Sequence, residues 1–165
     1  MIPGNAGIIL NNNLGGVSTL IRCFMTCIRA GGTLHSSHNL GSVEQTMIKL
    51  VSPMKRRPGM SVEAFRQYYE SRHRLIGEKY LQGFVTRYFR QFLDPLPDRS
   101  GVINEPEYDV ILHIWYPDKA SFAACAKRLA EPAVAAEIRE DEKKLFDTRY
   151  MRSYLIEEHE SDMAS

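Results

Sequence analysis

The chain has 165 residues, of which 44% are hydrophobic and 25% are charged, a composition typical of one globular domain with a core. Its net charge is only +1, so it lacks the net basic character that nucleic-acid-binding proteins use against phosphates. No apolar segment approaches the roughly 20 residues that span a bilayer. Three cysteines, Cys23, Cys27 and Cys125, are too few for a disulfide framework, which favours a reducing compartment. The sequence therefore predicts a cytoplasmic protein that binds neither nucleic acid nor membrane.

Residues 1–46 differ in composition from the rest of the chain. They are rich in Gly, Asn, Ser and Thr, which favour turns over helices, and little in them can bury a core. We interpret them as a disordered extension, or as residues that precede a true start at Met47. An organellar targeting segment is the alternative interpretation. The predicted domain is residues 47–165.

The first half of this domain has the pattern strand, helix, strand. β-Branched residues at 48–52 predict a strand that Pro53 ends. Ser61 is a natural N-cap for a helix that runs to about Tyr80. The apolar side of that helix is formed by Val62, Phe65, Tyr69, His73 and Ile76. An aromatic-rich strand at 84–93 follows, and Pro and Asp residues then predict a long loop.

The second half repeats the pattern with a strand, helices and a final strand. Alternating side chains at 108–116 predict a strand with one core face. Helical spacing then predicts a helix at 118–129, a second helical piece through 146 and a last strand at 150–157. The order βαββαβ is that of the ferredoxin-like fold, an α+β arrangement in which both helices cover one face of a four-stranded antiparallel sheet.

The second face of this sheet is left without a helix. On the strand at 108–116 it carries Asp109, Ile111, His113 and Trp115, a mixture that is too apolar to face water throughout. Two copies that pair through this face would cover it and enclose a space. We therefore expect a homodimer.

Three side chains are candidates for proton transfer. His73 shares its helix face with Phe65 and Tyr69, where burial tunes an imidazole for acid or base chemistry, although a core histidine bonded to a carbonyl has the same spacing. Asp109 and His113 lie four residues apart on one strand face, so the carboxylate is placed to orient the imidazole. An exposed pair on an uncovered sheet is the alternative.

Other residues are candidates for binding a substrate. Tyr69, Tyr88, Phe92 and Trp115 supply flat walls for an aromatic ligand, although strand aromatics commonly serve only packing. Arg57, beside the Pro58-Gly59 loop, is a candidate for holding an anionic group. The charged stretch at 137–144 is interpreted as an exposed helix face. The chain has no phosphate loop or dinucleotide fingerprint, and we predict neither a cofactor nor a metal.

The segment KRRPGMSVEAFRQYYESRHRLIGEKY, at 55–80, resembles the opening of EthD-domain proteins, in which a basic residue and Pro-Gly precede a helix with Phe, an aromatic pair and a histidine. His73 matches that histidine. The resemblance continues through YDVILHIWYPD, EPAVAAEIREDEKKLFD and IEEHES, so it covers the chain from about Met47 onward. It implies a dimeric α/β barrel, in a group that includes polyketide cyclases, decarboxylases of aromatic acids and cofactor-free monooxygenases.

Three functional hypotheses follow from this reading. The leading one is a cofactor-independent lyase or cyclase, in which His73 or His113 moves a proton on an aromatic or polyketide-like acid and Asp109 orients the base. The second is a cofactor-free monooxygenase that acts on a phenolic substrate. The third is a non-catalytic protein that binds a hydrophobic metabolite.

Overall fold

The computed structural model describes residues 47–163, and the predictions for residues 1–46 lie outside them. Four strands within these residues form one antiparallel sheet of order β2-β3-β1-β4. Their bounds are Ile48–Met54 (β1), Arg87–Phe92 (β2), Val110–Tyr116 (β3) and Tyr154–Leu155 (β4). The predicted ferredoxin-like βαββαβ order is confirmed.

β1 is longer than predicted because Pro53 lies inside it. Pro53 pairs in register with Ile111 of β3. The backbone groups of odd-numbered β1 residues point away from β3, toward the β4 side of the sheet. The Lys49 carbonyl shows this, because it accepts from Ile156 N–H. β4 pairs only with Leu50 and Val51, so no strand requires the hydrogen that proline lacks.

The first helix, α1, is continuous but changes its winding in the middle. Its segments are α-helical Val62–Tyr68, π-helical Tyr69–His73 and α-helical Arg74–Leu81. The predicted N-cap is confirmed, because the Ser61 side chain accepts from Ala64 N at 3.1 Å. Helices α2 (Lys119–Leu129) and α3 (Pro132–Leu145) follow β3, with Asp118 as the N-cap of α2 and Pro132 in the first turn of α3.

The core lies between the helices and one face of the sheet. β3 alternates between buried residues and half-buried residues along its whole length, as a sheet with helices on one side requires. Leu50 and Met54 of β1 lie on the same helix-covered face as Leu112 of β3. The opposite sheet face has no helix over it among the described residues.

Three strand predictions are too long. The strand predicted at 108–116 begins only at Val110. β2 begins at Arg87 rather than at 84, because the positive φ of Gly83 starts a turn that delays the strand. β4 is limited to two residues at the sheet edge, with Tyr154 and Leu155 both half exposed. No helix in the described part of the chain is long and apolar enough to cross a bilayer.

Candidate functional site

The π-helical turn of α1 places His73 in the protein interior. His73 is 5% exposed, and its ring contacts those of Tyr69 and Phe146 edge-on, at centroid distances of 5.0 and 5.1 Å. A single π-helical turn inside an α-helix is uncommon and is frequent at functional sites. Tyr69 and His73, the first and last residues of this turn, are its two buried residues.

Asp141 of α3 is the partner of this imidazole. His73 Nδ1 lies 2.8 Å from Asp141 Oδ2, and the Tyr68 hydroxyl donates to Asp141 Oδ1, also at 2.8 Å. Burial favours the neutral acid, but the hydrogen bonds from His73 and Tyr68 outweigh it and lower the pKa of Asp141. Burial and the bond to Asp141 raise the pKa of Tyr68 to about 12. The site is thus an ionised carboxylate held between two donors.

The ionised carboxylate fixes the proton on the histidine. Asp141 is acceptor-only, so Nδ1 of His73 carries the hydrogen of this bond, and in the tautomer that the bond selects Nε2 is the nitrogen with the lone pair. Nε2 has no hydrogen-bond partner within residues 47–163, and the side chain retains 7% exposure. An imidazole oriented by a carboxylate, with its second nitrogen unpaired, is the arrangement of a general base.

Three of the predicted wall residues lie on the same side of the sheet as His73. Tyr88 and Phe92 of β2 are in register with Ile114 and Val110, so they face the helices. Tyr69 is 0% exposed and contacts Phe92 edge-on at 5.6 Å. The structure therefore assembles Tyr69, Tyr88 and Phe92 with His73.

His113 and Trp115 lie on the opposite face of the sheet. His113 stacks on Phe89 at 4.4 Å, and its Nε2 is 2.9 Å from Gln91 Oε1. Burial lowers the pKa of His113, although the negative charge of Glu158 opposes this effect. The sheet separates these two residues from His73, so the predicted residues form two groups and not one cavity.

Trp115 is enclosed on that face by two cations. Lys49 Nζ lies 4.2 Å from the ring centroid, and the Arg87 guanidinium carbon lies 4.5 Å from it. The indole nitrogen is buried and has no hydrogen-bond partner among the described residues. Trp115 therefore does not contribute a wall to the His73 site.

The predicted contact between Asp109 and His113 is wrong. Asp109 precedes β3 and is 4% exposed, with its carboxylate paired to the Arg56 guanidinium and 3.2 Å from Lys55 Nζ. The Arg56 backbone N–H also donates to Asp109 Oδ2, at 2.8 Å. These bonds hold the carboxylate at the end of the strand, because two cations compensate its burial better than a neutral imidazole does.

Arg57 lines an open cleft of about 430 Å³, a volume within the range of small-molecule sites. The Arg57 side chain is exposed and has no ion pair within residues 47–163, whereas Arg149 across the cleft is paired with Asp147. His73 lines neither this cleft nor the adjoining one of about 140 Å³. Residues 146 and 147 lie between His73 and the larger cleft, since Phe146 contacts the His73 ring while Asp147 lines the cleft.

Asp141 is the residue that the sequence interpretation missed. The stretch at 137–144 was expected to be an exposed face, but Asp141 is 7% exposed and Glu142 is 1% exposed. A signal was present in the spacing: Asp141 lies three residues after Ile138 and four before Leu145, on the apolar side of α3. Within the described residues, no group of three potential ligands is arranged to hold a metal ion.

Comparison with known proteins gives one family match. Residues 57–149, more than half of the chain, match the model of the EthD domain. No curated protein matches the chain.

Several solved structures are similar. An EthD family protein from Bacillus halodurans has a TM-score of 0.48 and 16% identity, covering 69% of this chain and 100% of its own. An EthD-like protein from Ralstonia eutropha has a TM-score of 0.48 and 20% identity, with coverage of 68% and 89%. HapK from Hahella chejuensis has a TM-score of 0.44 and 14% identity, with coverage of 72% and 98%.

Proposed function

We propose, because this chain belongs to the EthD family, that it is a cofactor-independent enzyme that performs acid–base chemistry on a small aromatic or polyketide-like acid. The reaction class is a lyase or cyclase reaction: decarboxylation, dehydration or cyclisation. His73 is the acid–base group and Asp141 orients it.

One observation carries this proposal, the buried pair of His73 and Asp141. The carboxylate stabilises the imidazolium that forms when Nε2 takes a proton, as in other carboxylate–imidazole pairs. Tyr68 holds the second carboxylate oxygen, so Asp141 is fixed before substrate binds. This pair supplies proton transfer from the chain's own side chains.

The chemistry balances with one proton. In a dehydration, Nε2 takes a proton from a substrate carbon, the bond between the neighbouring carbon and its hydroxyl breaks, and the imidazolium returns that proton to the hydroxyl, which leaves as water. In a decarboxylation Nε2 takes the proton of the substrate's carboxyl group, the bond between that group and its carbon breaks, carbon dioxide leaves, and the imidazolium returns the same proton to the carbon. Asp141 stays ionised throughout.

The remaining candidates take separate roles. Tyr69, Tyr88 and Phe92 form the aromatic surroundings of the reacting group, and Arg57 remains our prediction for an anionic group of the ligand. His113 and Asp109 have no part in proton transfer in this proposal, because the sheet separates His113 from His73 and Asp109 is held by cations.

The test is a substrate screen by mass spectrometry. Aromatic and polyketide acids are offered to the wild type, to His73→Gln and Asp141→Asn, and to His113→Gln as the matched control, each with and without oxygen. We expect loss of carbon dioxide or water that His73→Gln abolishes, that Asp141→Asn slows by about 10²-fold and that His113→Gln leaves unchanged.

Other results of the screen contradict the proposal. Product that requires oxygen identifies a monooxygenase, and binding without turnover identifies a carrier of a hydrophobic metabolite. Equal turnover by His113→Gln and His73→Gln removes His73 from the mechanism.

We also propose that a second copy of the chain covers the sheet face that carries Ile111, His113 and Trp115. No helix among the described residues lies over this face, so the apolar parts of Ile111 and Trp115 remain partly exposed in a single chain. Symmetric pairing of identical sheet faces would bury the half-buried residues of β3 in both copies.

Sedimentation velocity tests this pairing. Ile111→Asp places a charge on the open face, and Leu75→Asp places the same charge on the exposed surface of α1, where Leu75 is 48% exposed. We expect a dimer for the wild type and Leu75→Asp and a folded monomer for Ile111→Asp. A monomeric wild type contradicts the proposal.

A further inference from the structure

The two edges of the sheet carry opposite charges. β2, at one edge, has the sequence RYFRQF, with two arginines and no acidic residue. β4, at the other edge, is followed by residues 156–162, which contain four acidic residues and no lysine or arginine. Neither edge has a further strand beside it among the described residues. The sheet therefore has one basic and one acidic edge, and each is open to a further strand.

Arg87 is the exposed cation of the basic edge. Its guanidinium carbon lies 4.5 Å from the ring centroid of Trp115 and 5.0 Å from that of Phe89, on the sheet face that has no helix over it. Arg87 has no ion pair within residues 47–163, whereas Arg90, the second arginine of β2, is paired with Glu70. The two rings hold the Arg87 charge at the start of β2, where an acidic partner can reach it.

The acidic segment begins at the same level of the sheet. Ile156 N–H donates to the Lys49 carbonyl at 3.0 Å, and the Glu158 carboxylate forms an ion pair with Lys49 Nζ. Lys49 is in register with Trp115, and Trp115 is in register with Arg87. One row across the sheet therefore runs from Arg87 at the basic edge to Ile156 at the acidic edge.

Two arrangements of a second copy bring identical sheet faces together. The two-fold axis lies between the sheets and runs either along the strands or across them. An axis along the strands places the β2 edge of each copy beside the β4 edge of its partner, at the same level. An axis across the strands places β2 beside β2 and β4 beside β4. The first arrangement joins opposite charges, and the second joins like charges.

We propose that the two copies pair with the axis along the strands, so that the acidic segment 156–162 of each copy lies beside β2 of its partner and forms ion pairs with Arg87 of the partner. The inference rests on the proposed pairing of two copies and names the contacts that orient it. Symmetry repeats the favourable contact at both edges, and it would likewise repeat the repulsion between like charges in the other arrangement.

The same orientation covers groups that the single chain leaves exposed. Tyr154 and Leu155 of β4 are 51% and 50% exposed, and β4 pairs with only two residues of β1. β2 and β4 run in opposite directions, and rotation about the strand direction keeps them so. An antiparallel neighbour supplies hydrogen-bond partners for the outer backbone groups of both edges. Each β2 thus supports the short β4 of its partner.

Cysteine crosslinking distinguishes the two orientations. Thr86→Cys, beside Arg87, and Glu157→Cys are made in a background with Cys23→Ser and Cys27→Ser, since the remaining Cys125 is buried. A short bismaleimide is added to each variant alone and to an equal mixture of the two. We expect covalent dimers in the mixture and few in either variant alone. Efficient crosslinking of either variant with itself, or none in the mixture, overturns the proposal.

Charge reversal tests the ion pairs themselves. Arg87→Glu should raise the dimer dissociation constant, measured by sedimentation velocity, by at least about tenfold. Glu157→Lys/Glu160→Lys should act in the same direction. The combined variant should return to within about threefold of the wild type, because the opposite charges are exchanged and not lost. Lys127→Glu is the matched control, since Lys127 is exposed on α2 and should leave the constant unchanged.

The outcomes separate this inference from the pairing on which it rests. A dimer that neither charge reversal weakens, or that the combined variant does not restore, overturns the edge contacts and leaves the pairing of the sheet faces intact. A monomeric wild type overturns both. Circular dichroism confirms that each variant is folded before its dissociation constant is compared, and the substituted side chains are all exposed.

Discussion

Asp141 and His73 are 68 residues apart in the chain, yet Asp141 Oδ2 lies 2.8 Å from His73 Nδ1. The bond joins α3 to the π-helical turn of α1. The hydroxyl of Tyr68, the residue just before that turn, donates to the other oxygen of the same carboxylate. The network therefore both orients the imidazole and ties the two helices together across the core.

The first prediction concerns acid stability. The pKa of Asp141 is lowered in the folded state, so its ionised form stabilises the fold above the unfolded pKa of about 3.9, and this contribution is lost as the pH falls through the lower folded value. Chemical denaturation of Asp141→Asn should show a lower free energy of unfolding at pH 7 and a smaller decrease between pH 5 and 3 than the wild type.

Tyr68 and Tyr154 supply the matched pair for this measurement. Tyr68→Phe removes one bond to Asp141 and should reduce stability at pH 7 by about 1 kcal/mol, with a smaller acid-dependent loss. Tyr154→Phe alters a half-exposed residue and should leave both quantities unchanged. If Asp141→Asn and the wild type lose the same free energy between pH 5 and 3, the carboxylate is not stabilised by these bonds.

The second prediction separates a structural role for Asp109 from a catalytic one. Asp109→Asn weakens the bonds to Arg56 and leaves a largely buried guanidinium undercompensated, which should cost roughly 1–3 kcal/mol of stability. Glu105→Gln changes a largely exposed partner of the same arginine and should cost less than about 1 kcal/mol. Unfolding in urea measures both. A large loss of turnover in Asp109→Asn at unchanged stability contradicts the structural assignment.

The fold could be predicted from the sequence because its signals are local. The alternation along β3, the Ser61 cap and the apolar spacing of α1 each determine one element, and their order then fixes the topology. Strand ends were less accurate, since the limits of β4 depend on pairing with β1 and not on its own residues.

The candidate site depends on contacts that are distant in sequence, and spacing does not reveal them. His73 was identified from its helix face, but its partner lies on another helix, and an acidic residue in a charged run looks exposed until α3 is packed. The alternation of strand side chains places Asp109 and His113 on one face. The sequence does not show that Arg56, two residues after β1, forms an ion pair with the Asp109 carboxylate. Only the register of β2 shows that Tyr88 and Trp115 lie on opposite sides of the sheet.

The third prediction follows from the lowered pKa of His113. Burial favours its neutral form, so protonation opposes folding, and stability decreases as the pH falls from the unfolded pKa of about 6.5 toward the lower folded value. NMR titration of the His113 ring should give a midpoint below 6.5. His113→Gln should lose less stability than the wild type between pH 8 and 5, and a midpoint at or above 6.5 contradicts the prediction.

The fourth prediction concerns the close packing of Tyr88 on α1. A methyl group at position 77 would lie 2.7 Å from Tyr88 Cζ and closer still to the hydroxyl. Alanine is a better helix former than glycine by about 1 kcal/mol, but the overlap should cost about 1–3 kcal/mol. Gly77→Ala should therefore be no more stable than the wild type.

The Tyr88→Ala background isolates the overlap. With the ring removed, Gly77→Ala should stabilise the protein by up to about 1 kcal/mol, because only the helix preference remains. The difference between the two backgrounds is the coupling free energy of a double-mutant cycle, measured by urea unfolding. A coupling near zero would mean that Tyr88 does not pack on Gly77. It would also remove the contact by which this tyrosine fills the space between α1 and β2.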